Sequence, residues 1–449
     1  MKKRNRFMMI ITSLVLTFAL VLGGCGSAGS GAAQNNTAAQ AGSGEAAAAE
    51  QTLSSAAAAN SEAGKATSAA ASAAASASAA ADLFTERDLA QTADLSAAKS
   101  VTLSDGQTLS ITEAGVYVLS GSAQNACVVI NAGDEDKVQL VLDGVSITNT
   151  NQPCILVENA DKVFLTSAEG SENSMTVSGA FSGEEDAVVF SRDDLVLNGL
   201  GTVNIISSYD GVRSNDDLKL TGGSWNIEAS NISLKAHEGI YANDGVYLLN
   251  AGDDGLHAEN NDDNSTGEIR IDGGSFTIKA GDDGVHATTF LTVNGGSLDI
   301  TAGEGLEATQ VIINNGSVNI QASDDGINAG QKSTALSIKL EINGGEIKIA
   351  MGAGDTDALD SNGDLIITGG RIEITAQSPF DYDGNGSFTG GTVIVNGTEV
   401  DALTNQMMGG PMGGQFWGQP GGQMGGQMGG QPGGQTGGQP GGHPGGGRR

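Results

Sequence analysis

The chain has 449 residues, with 53 acidic and 21 basic side chains, and its formal net charge is −32. This charge excludes a protein that holds nucleic acid through phosphate contacts, because such proteins need a basic face. Aromatic residues make up only 4% of the chain, which disfavours a binding module built on a flat aromatic strip. A strongly acidic surface instead attracts cations.

Residues 1–24 have the pattern of a bacterial export signal. Basic residues between Lys2 and Arg6 precede an apolar run from Phe7 to Leu22, and Leu22-Gly23-Gly24-Cys25 follows. This ending is typical of a lipobox, so we expect cleavage before Cys25 and lipidation of its thiol. The protein would then sit at the cell surface, on the outer face of the bacterial cytoplasmic membrane. The alternative is a single transmembrane anchor, for which the apolar run is short.

Two segments of low complexity flank the rest of the chain. Residues 25–81 are rich in Ala and Ser and have no apolar stripe for a helix to bury, so we expect a disordered tether. Residues 403–449 are rich in Gly, Gln, Pro and Met, and such a segment buries too little apolar surface to offset its ordering entropy. Residues 82–402 remain as one folded body.

The body contains two short repeated motifs. One pairs turn glycines with a short alternating strand, as in Asp272-Gly-Gly-Ser-Phe-Thr-Ile278 and Asn294-Gly-Gly-Ser-Leu-Asp-Ile300. The other, acid-acid-Gly-apolar-x-Ala, occurs at 253–258, 282–287 and 324–329, with a variant at 303–308. Its glycines Gly284, Gly305 and Gly326 are 21 residues apart.

This period and the short alternating strands predict an all-β fold, a right-handed single-stranded parallel β-helix of about a dozen coils. Ile, Val and Leu would face inward, and glycine and asparagine would turn the corners. Leucine-rich repeats share the period but need a leucine framework, and propeller blades need about twice the period.

The acid motif would place carboxylates above one another in successive coils. Carboxylates about 5 Å apart repel by roughly 3 kcal/mol per pair at an effective dielectric near 20, so this column needs a counterion or raised pKa values. Calcium suits it, because calcium accepts six to eight oxygens in irregular geometry; the alternative is that Asp-Gly only favours turns. The predicted calcium ligands are Asp253, Asp254, Asp282, Asp283, Glu304, Asp324 and Asp325.

The x position of the acid motif should face outward, because its apolar and alanine neighbours face inward. A mixed polar column favours a ligand-binding surface, and the alternative is an ordinary solvent face. The predicted ligand-binding residues are Arg213, Tyr241, His257, His286, Glu307, Asn328 and Asp360. His257 and His286 also suit a transition metal, although two histidines without a nearby cysteine are a weak signal.

Cys127 and Cys154 are 27 residues apart, close to one longer coil. A disulfide and a pair of buried free thiols both fit this spacing. No nucleophile–base pair and no glycine-rich phosphate loop stands out in the sequence.

Several segments of the body follow one known pattern: 84–88, 115–121, 138–144, 210–218 and 357–364. With the Gly-Gly-Gln tail, they resemble the clostridial-type carbohydrate-binding β-helix proteins, which are lipid-anchored or secreted and related in fold to pectate lyases. The resemblance implies a calcium-containing right-handed β-helix that binds plant polysaccharides, acidic ones included. The sequence departs from the pattern at Glu304-Gly305 and at His237-Glu238-Gly239, where the paired Asp is lost.

Two functions fit these features. The first is a non-catalytic, monomeric surface protein that captures polysaccharide, polygalacturonate-like or cellulose, with calcium bridging the acidic edge to uronate carboxylates. The second is a calcium-dependent polysaccharide lyase, which needs a Lys or Arg base beside calcium.

The candidate bases are Arg213, Lys235, Lys279 and Arg270. Only Arg213 lies in the predicted column, so we favour binding over catalysis and assign no catalytic residue. An adhesin or structural spacer is a further alternative that needs no site.

Overall fold

The computed structural model describes residues 83–353 and 356–405, and strands dominate them. The fold is all-β, which confirms the predicted class. The signal, the tether and nearly all of the tail lie outside the described residues, so the predictions about them, including Cys25, stay predictions. Within the described residues, no helix has the length and apolarity that a bilayer span requires.

Most strands pair in parallel with strands two or three places away along the chain, and these pairs form three ladders, named A, B and C. Long strands that run from ladder A into ladder B are β3 (Gly115–Gln124), β5 (Lys137–Asn149), β13 (Asp217–Ala229) and β15 (Gly239–Ala251). Long strands that run from ladder C into ladder A are β19 (Asp283–Val293) and β21 (Glu304–Ile313). Each coil between β3 and β29 (Ser378–Tyr382) thereby contributes to all three ladders.

The shorter strands complete the ladders. Ladder A also contains β1 (Lys99–Thr102), β7 (Lys162–Ser167), β10 (Asp194–Gly199), β17 (Glu268–Ile271), β24 (Lys339–Ile342), β27 (Asp364–Ile367) and β30 (Gly386–Phe388). Ladder B also contains β8 (Glu172–Val177), β11 (Thr202–Ser207), β18 (Ser275–Lys279), β20 (Ser297–Ala302), β22 (Ser317–Ala322), β25 (Glu346–Met351), β28 (Arg371–Thr375) and β31 (Thr392–Val395). Ladder C also contains β2 (Thr108–Ile111), β4 (Cys127–Asn131), β6 (Ile155–Asn159), β9 (Ala187–Ser191), β12 (Asp210–Ser214), β14 (Leu234–Ala236), β16 (Leu256–Ala258), β23 (Ile327–Ala329), β26 (Asp357–Ser361) and β29 (Ser378–Tyr382). Strand β32 (Thr398–Val400) pairs antiparallel with β31.

Ladder C shows how the repeated sequence builds the core. Its inward apolar partners in consecutive coils are fully buried: Leu256, Val285, Leu306, Ile327 and Leu359. Burial of each such side chain stabilises the fold by about 1.5–3 kcal/mol. The alanines two positions later, from Ala258 to Ala329, form a second buried column. The residue between the two columns therefore lies on the opposite, outward face of the strand.

The glycine of the acid motif is required by close stacking. A Cβ on Gly284 would lie 2.6 Å from the carbonyl oxygen of Gly305 in the next coil, and a Cβ on Gly255 would lie 2.5 Å from the carbonyl oxygen of Gly284. The second glycine of the Gly-Gly motif instead has a positive φ, for example 93° at Gly274, where a Cβ is disfavoured. The two motifs therefore need glycine for different physical reasons.

A short helix, α1 (Glu86–Leu89), packs against ladder A, a feature that the sequence did not predict. Its Asp88 is fully buried, with Oδ1 3.3 Å from Lys162 Nζ and Oδ2 3.4 Å from Lys219 Nζ. Burial alone would raise the pKa of Asp88, but the hydrogen bond from the Thr85 backbone and the two lysines lower it overall. The helix is therefore fixed to the ladder by a buried ion pair.

Candidate functional site

Ladder C carries one outward row of charged and polar side chains, named here the site row. Consecutive register partners in the site row are Arg213, Lys235, His257, His286, Glu307, Asn328, Asp360 and Asp381. The row is basic in its first coils and acidic in its last coils. The structure therefore brings together every predicted ligand-binding residue except Tyr241.

The placement of Tyr241 in this column was wrong. Tyr241 lies in ladder A, between Lys219 and Arg270, and its hydroxyl donates to Glu268 Oε1 at 2.6 Å. The segment Gly239-Ile-Tyr-Ala242 resembles the acid motif, but the preceding strand β14 already supplies the ladder C strand of this coil.

Lys235 occupies the position that Tyr241 was expected to fill. It lies 22 residues from both Arg213 and His257, so a strict count of one coil in each direction would have found it. The three-residue strand β14 lacks the Asp-Gly turn, which hid this coil from the motif search. Within the part of the chain that the structure describes, Lys235 forms no ion pair, although it stacks between Arg213 and His257.

A row of acids lies three positions before the site row, and its members are Asp210, Asp254, Asp283, Glu304, Asp325 and Asp357. Three of them accept a backbone N–H from the following coil, and for Asp210 Oδ1 the donor is the Ile232 N–H at 3.2 Å. Asp254 Oδ1 accepts from the Asp283 N–H at 2.9 Å, and Asp325 Oδ1 accepts from the Asp357 N–H at 3.1 Å. One oxygen of each carboxylate therefore holds adjacent coils together, and the other remains for further contacts.

In the middle of the site row, two histidines contact the acid three residues before them. His257 Nδ1 lies 2.5 Å from Asp254 Oδ2, and His286 Nδ1 lies 2.7 Å from Asp283 Oδ2. The two rings are stacked, with centroids 4.7 Å apart and planes 10° from parallel. Burial alone would lower the pKa of His257, but its hydrogen bonds to Asp254 and Glu259 raise it overall. These pairs place positive charge among the carboxylates.

Glu307 in the next coil joins the second pair. Its Oε2 lies 2.8 Å from His286 Nδ1, and its Oε1 lies 2.6 Å from Lys332 Nζ. Burial alone would raise the pKa of Glu307, but these two partners lower it overall. The N–H groups of Lys332 and Ser333 donate to Thr309 Oγ1 and so fix the loop that carries Lys332. Sequence reasoning missed Lys332 because this loop lies outside the repeat.

Carboxylates farther along the stack have raised pKa values. Burial and the charge of Glu307 raise the pKa of Glu304 to about 8, although Asn328 Nδ2 donates to Glu304 Oε2 at 3.0 Å. Burial and the charge of Asp325 raise the pKa of Asp360 to about 7, and burial raises the pKa of Asp325 to about 6. The crowding expected from stacked acids is therefore present in this part of the site.

The first coils form the basic end of the site row. Arg213 Nη1 lies 2.8 Å from Asp186 Oδ1, and Arg213 Nη2 lies 3.2 Å from His237 Nε2. Burial, together with the charge of Arg213, lowers the pKa of His237. Arg213 and Lys235 therefore carry the positive charge at this end of the site row, and the charge of Arg213 is paired with that of Asp186.

Three carboxylates near Lys235 offer oxygens to one cation. Oxygens of Asp253, Asp254 and Asp282 lie within 4.8 Å of one another. Burial, followed by the charges of Asp254 and Asp282, raises the pKa of Asp253, which reflects crowding of like charges. Calcium fits this donor set, because it accepts carboxylate oxygens in irregular geometry.

The other predicted calcium ligands lie farther along the stack and are in different settings. Asp283 contacts His286, Glu304 accepts from Asn328, and Asp324 is exposed. Among the described residues, the seven predicted ligands therefore do not form one cluster.

Cys127 and Cys154 are free thiols, and both are buried. Of the two arrangements that the spacing allowed, the structure has the unpaired one. Burial raises the pKa of Cys127 to about 11 and raises that of Cys154 as well, so both thiols stay protonated and unreactive at neutral pH.

The chain is similar to proteins whose descriptions concern carbohydrate. A carbohydrate-binding domain-containing protein of Acetivibrio thermocellus is 33% identical over 126 residues, which cover 26% of this chain and 44% of that protein. The chain thus spans less than half the length of this curated relative. A solved structure, described as the polysaccharide lyase-like protein from C. thermocellum in a gadolinium derivative, is 27% identical, covers 46% of this chain and 92% of its own, and has a TM-score of 0.43. The carbohydrate-binding domain-containing protein family matches residues 105–357. Because this match includes more than half of the chain, the protein belongs to the carbohydrate-binding domain-containing family.

Proposed function

We propose that the protein captures acidic polysaccharide at the cell surface without cleaving it. The observation that carries this proposal is the site row, which places basic side chains beside a cluster of three carboxylates on one face of ladder C. Membership of the family supports carbohydrate as the partner. A protein with a net charge of −32 repels a polyuronate, so the contacts must go through positive groups, which this row supplies.

We further propose that the three ladders wind as a right-handed, single-stranded parallel β-helix. Parallel pairing of each coil with the next supports this architecture. Consecutive side chains of the site row would then be about 4.8 Å apart, the ordinary strand spacing. A linear polymer that lay along the row would meet several coils at once.

Calcium is the cofactor that we propose, held by Asp253, Asp254 and Asp282. When bound, it supplies positive charge and open positions for oxygens of a uronate. The chain holds these carboxylates within 4.8 Å of one another, and Asp254 keeps its Oδ1 for the N–H of Asp283. Lys235 and Arg213 extend the positive surface past this cluster. Glu304, Asp324 and Asp325 are proposed as further calcium ligands, whereas Asp283, which the sequence also predicted as one, contacts His286.

The position in the cell is also a proposal. Cleavage before Cys25 and lipidation of its thiol would anchor the protein to the outer face of the cytoplasmic membrane. Residues 25–81 would then act as a tether that holds a monomeric body away from the bilayer.

Pull-down of the protein with insoluble polygalacturonate tests this function. Capture should occur in calcium and fall in chelator, and the double variant Asp253→Asn/Asp282→Asn should bind weakly under both conditions. Asp299→Asn, which removes an exposed carboxylate from ladder B, is the matched control and should bind like wild type. Equal capture in calcium and in chelator would show that no divalent ion takes part.

The placement of Lys235 favours lyase activity as a second candidate function. Elimination from a uronate needs a base beside a cation that acidifies the proton next to the carboxylate. Lys235 forms no ion pair among the described residues and is close enough to Asp253 to influence its charge, so it meets part of that need. Unsaturated oligosaccharides that accumulate with wild type but not with Lys235→Gln would establish this activity and overturn the non-catalytic proposal.

A separate face suits the cellulose that we include among the proposed ligands. Ladder B has a shallow groove lined in part by Ile206 and Leu248, with Asn204, Asn226 and Lys279 beside them. Ile206 and Leu248 are 48% and 49% exposed, and a mixture of apolar and amide groups matches the two kinds of surface on a glucose ring. Cellulose capture should therefore persist in the double variant that loses polygalacturonate.

A further inference from the structure

His286 Nδ1 faces two carboxylates that come from different coils. Asp283 Oδ2, on the same strand, lies 2.7 Å away, and Glu307 Oε2, on the next coil, lies 2.8 Å away. An imidazole nitrogen carries at most one proton, and a hydrogen bond is strong only when it is nearly straight. One proton must therefore be shared by two acceptors that both lie at short range.

The spacing of these three atoms fits neighbouring ligands of one metal ion. With metal–ligand distances of about 2.1 Å, neighbouring ligands are about 3.0 Å apart in an octahedron and about 3.4 Å apart in a tetrahedron. The observed separations of 2.7 and 2.8 Å are nearer to the octahedral value. The side chains of Asp283 and Glu307 are only 7% and 6% exposed, so few water molecules compete for their oxygens.

We propose that Asp283, His286 and Glu307 bind one divalent first-row transition metal ion in octahedral coordination. Imidazole nitrogen suits such ions, whereas calcium takes oxygen ligands. The ion takes the place of the shared proton on His286 Nδ1, because a metal-bound imidazole nitrogen must be deprotonated. This site does not use Asp253 or Asp282, so it is distinct from the cluster proposed for calcium.

Neighbouring side chains hold the three ligands in position. Lys332 Nζ contacts the other oxygen of Glu307 at 2.6 Å, and the ring of His257 stacks on that of His286. Asn328 Nδ2 lies 3.4 Å from Glu307 Oε1, and Asn328 Oδ1 is buried without a hydrogen-bond partner in the described part of the chain. A further oxygen donor is therefore available beside the ligands. Contacts of this kind commonly change metal affinity by about 10–100-fold.

Isothermal titration of the full chain with nickel(II), in saturating calcium, tests the proposal. Wild type should bind one nickel ion, and His286→Gln and Glu307→Gln should each weaken binding by about tenfold or more. His237→Gln is the matched control, because this histidine contacts Arg213 and not the three ligands, and it should leave the affinity unchanged. Thermal unfolding of each variant shows whether it is folded.

Nickel X-ray absorption of the wild-type protein gives a second measurement that needs no variant. It should show imidazole nitrogen among the ligands in a six-coordinate shell. A spectrum with oxygen ligands alone would overturn the proposal, as would equal nickel affinity in wild type and His286→Gln. Either result would leave calcium-dependent polygalacturonate capture intact, because that capture depends on Asp253 and Asp282.

Discussion

Replacement of Glu304 by glutamine should stabilise the protein in chelator at high pH and change little at low pH. Burial and the charge of Glu307 raise the pKa of the half-buried Glu304 carboxyl to about 8, from an ordinary value of 4.5. The folded protein therefore keeps a proton that the unfolded chain releases. The stability that comes from this proton is complete below pH 4.5 and is lost as the pH rises through about 8. Glutamine is neutral at every pH in this range, so the variant keeps this stability at high pH.

The size of the effect follows from the pKa difference and from solvent access. The full difference corresponds to about 5 kcal/mol. Part of the carboxyl faces solvent, which screens its charge, so we expect a gain of about 1–2 kcal/mol for Glu304→Gln near pH 9. For a folded body of this size, that gain raises Tm by about 1.5–3 °C. The hydrogen bond from Asn328 can be retained, because the glutamine carbonyl accepts it as the carboxylate does.

Thermal unfolding followed by circular dichroism in chelator, near pH 5 and near pH 9, measures the difference. Glu172→Gln, an exposed change on ladder B, should shift Tm little at either pH. The reasoning is refuted if Glu304→Gln shifts Tm equally at the two pH values, or if it lowers Tm near pH 9. A gain in chelator that disappears in calcium would support Glu304 as a calcium ligand.

Three further changes test the fold and the anchor. Asp88→Ala should lower the free energy of unfolding by about 3–5 kcal/mol, because Lys162 and Lys219 lose their buried counterion. Chemical denaturation measures this loss, and the exposed Glu86→Ala on the same helix is the control. A loss no larger than that of the control would contradict this role. Gly284→Ala should lower the free energy of unfolding by about 1–3 kcal/mol, because the new Cβ would contact the Gly305 backbone. Gly330→Ala, whose Cβ would meet nothing closer than 3.5 Å, should change stability little. Equal Tm values for the two variants would refute the stacking argument. Cys25→Ser should abolish lipid labelling and release the protein from the membrane fraction, and unchanged membrane association would favour the transmembrane anchor.

The all-β class could be predicted because each coil repeats the same local pattern. The spacing of Gly284, Gly305 and Gly326 corresponds to one coil, and the structure stacks these glycines directly. Alternation of apolar and polar residues on a strand also placed Leu306 inward and Glu307 outward, because the side-chain period of a strand is two. Such information is local and does not depend on distant contacts.

The residues of the site row could be predicted only in coils where the acid motif contains the ladder C strand. Lys235 was missed because its strand, β14, has the register of ladder C but lacks the Asp-Gly turn. Tyr241 was misplaced because its strand, β15, resembles the acid motif but lies in ladder A at this point. The register between neighbouring strands is set by backbone pairing along the stack. A side-chain motif indicates that register only indirectly.

Charge compensation at the site depends on residues that no repeat contains. The sequence indicated that stacked carboxylates need a counterion or raised pKa values, and the structure has both. Lys332 reaches Glu307 from an irregular loop, and on ladder A, away from the site row, Asp88 reaches Lys162 from a helix before the first coil. These contacts join parts of the chain that are far apart in sequence, so they follow from the tertiary fold and not from local pattern.

The gradient of charge along the site row makes a final prediction about how an acidic protein holds an acidic polymer. Lys235→Gln removes a positive charge from the basic end, so it should weaken polygalacturonate binding, whereas Asp360→Asn removes repulsion at the acidic end and should not weaken it. Binding is best measured near pH 8, above the pKa of about 7 to which burial and Asp325 raise Asp360. Both effects should shrink between about 0.05 and 0.5 M salt, because ions screen exposed charges. Lys279→Gln, an equal change of charge on ladder B, is the control. Equal weakening by Lys235→Gln and Lys279→Gln would mean that net charge governs capture, and the site row would then not be the binding surface.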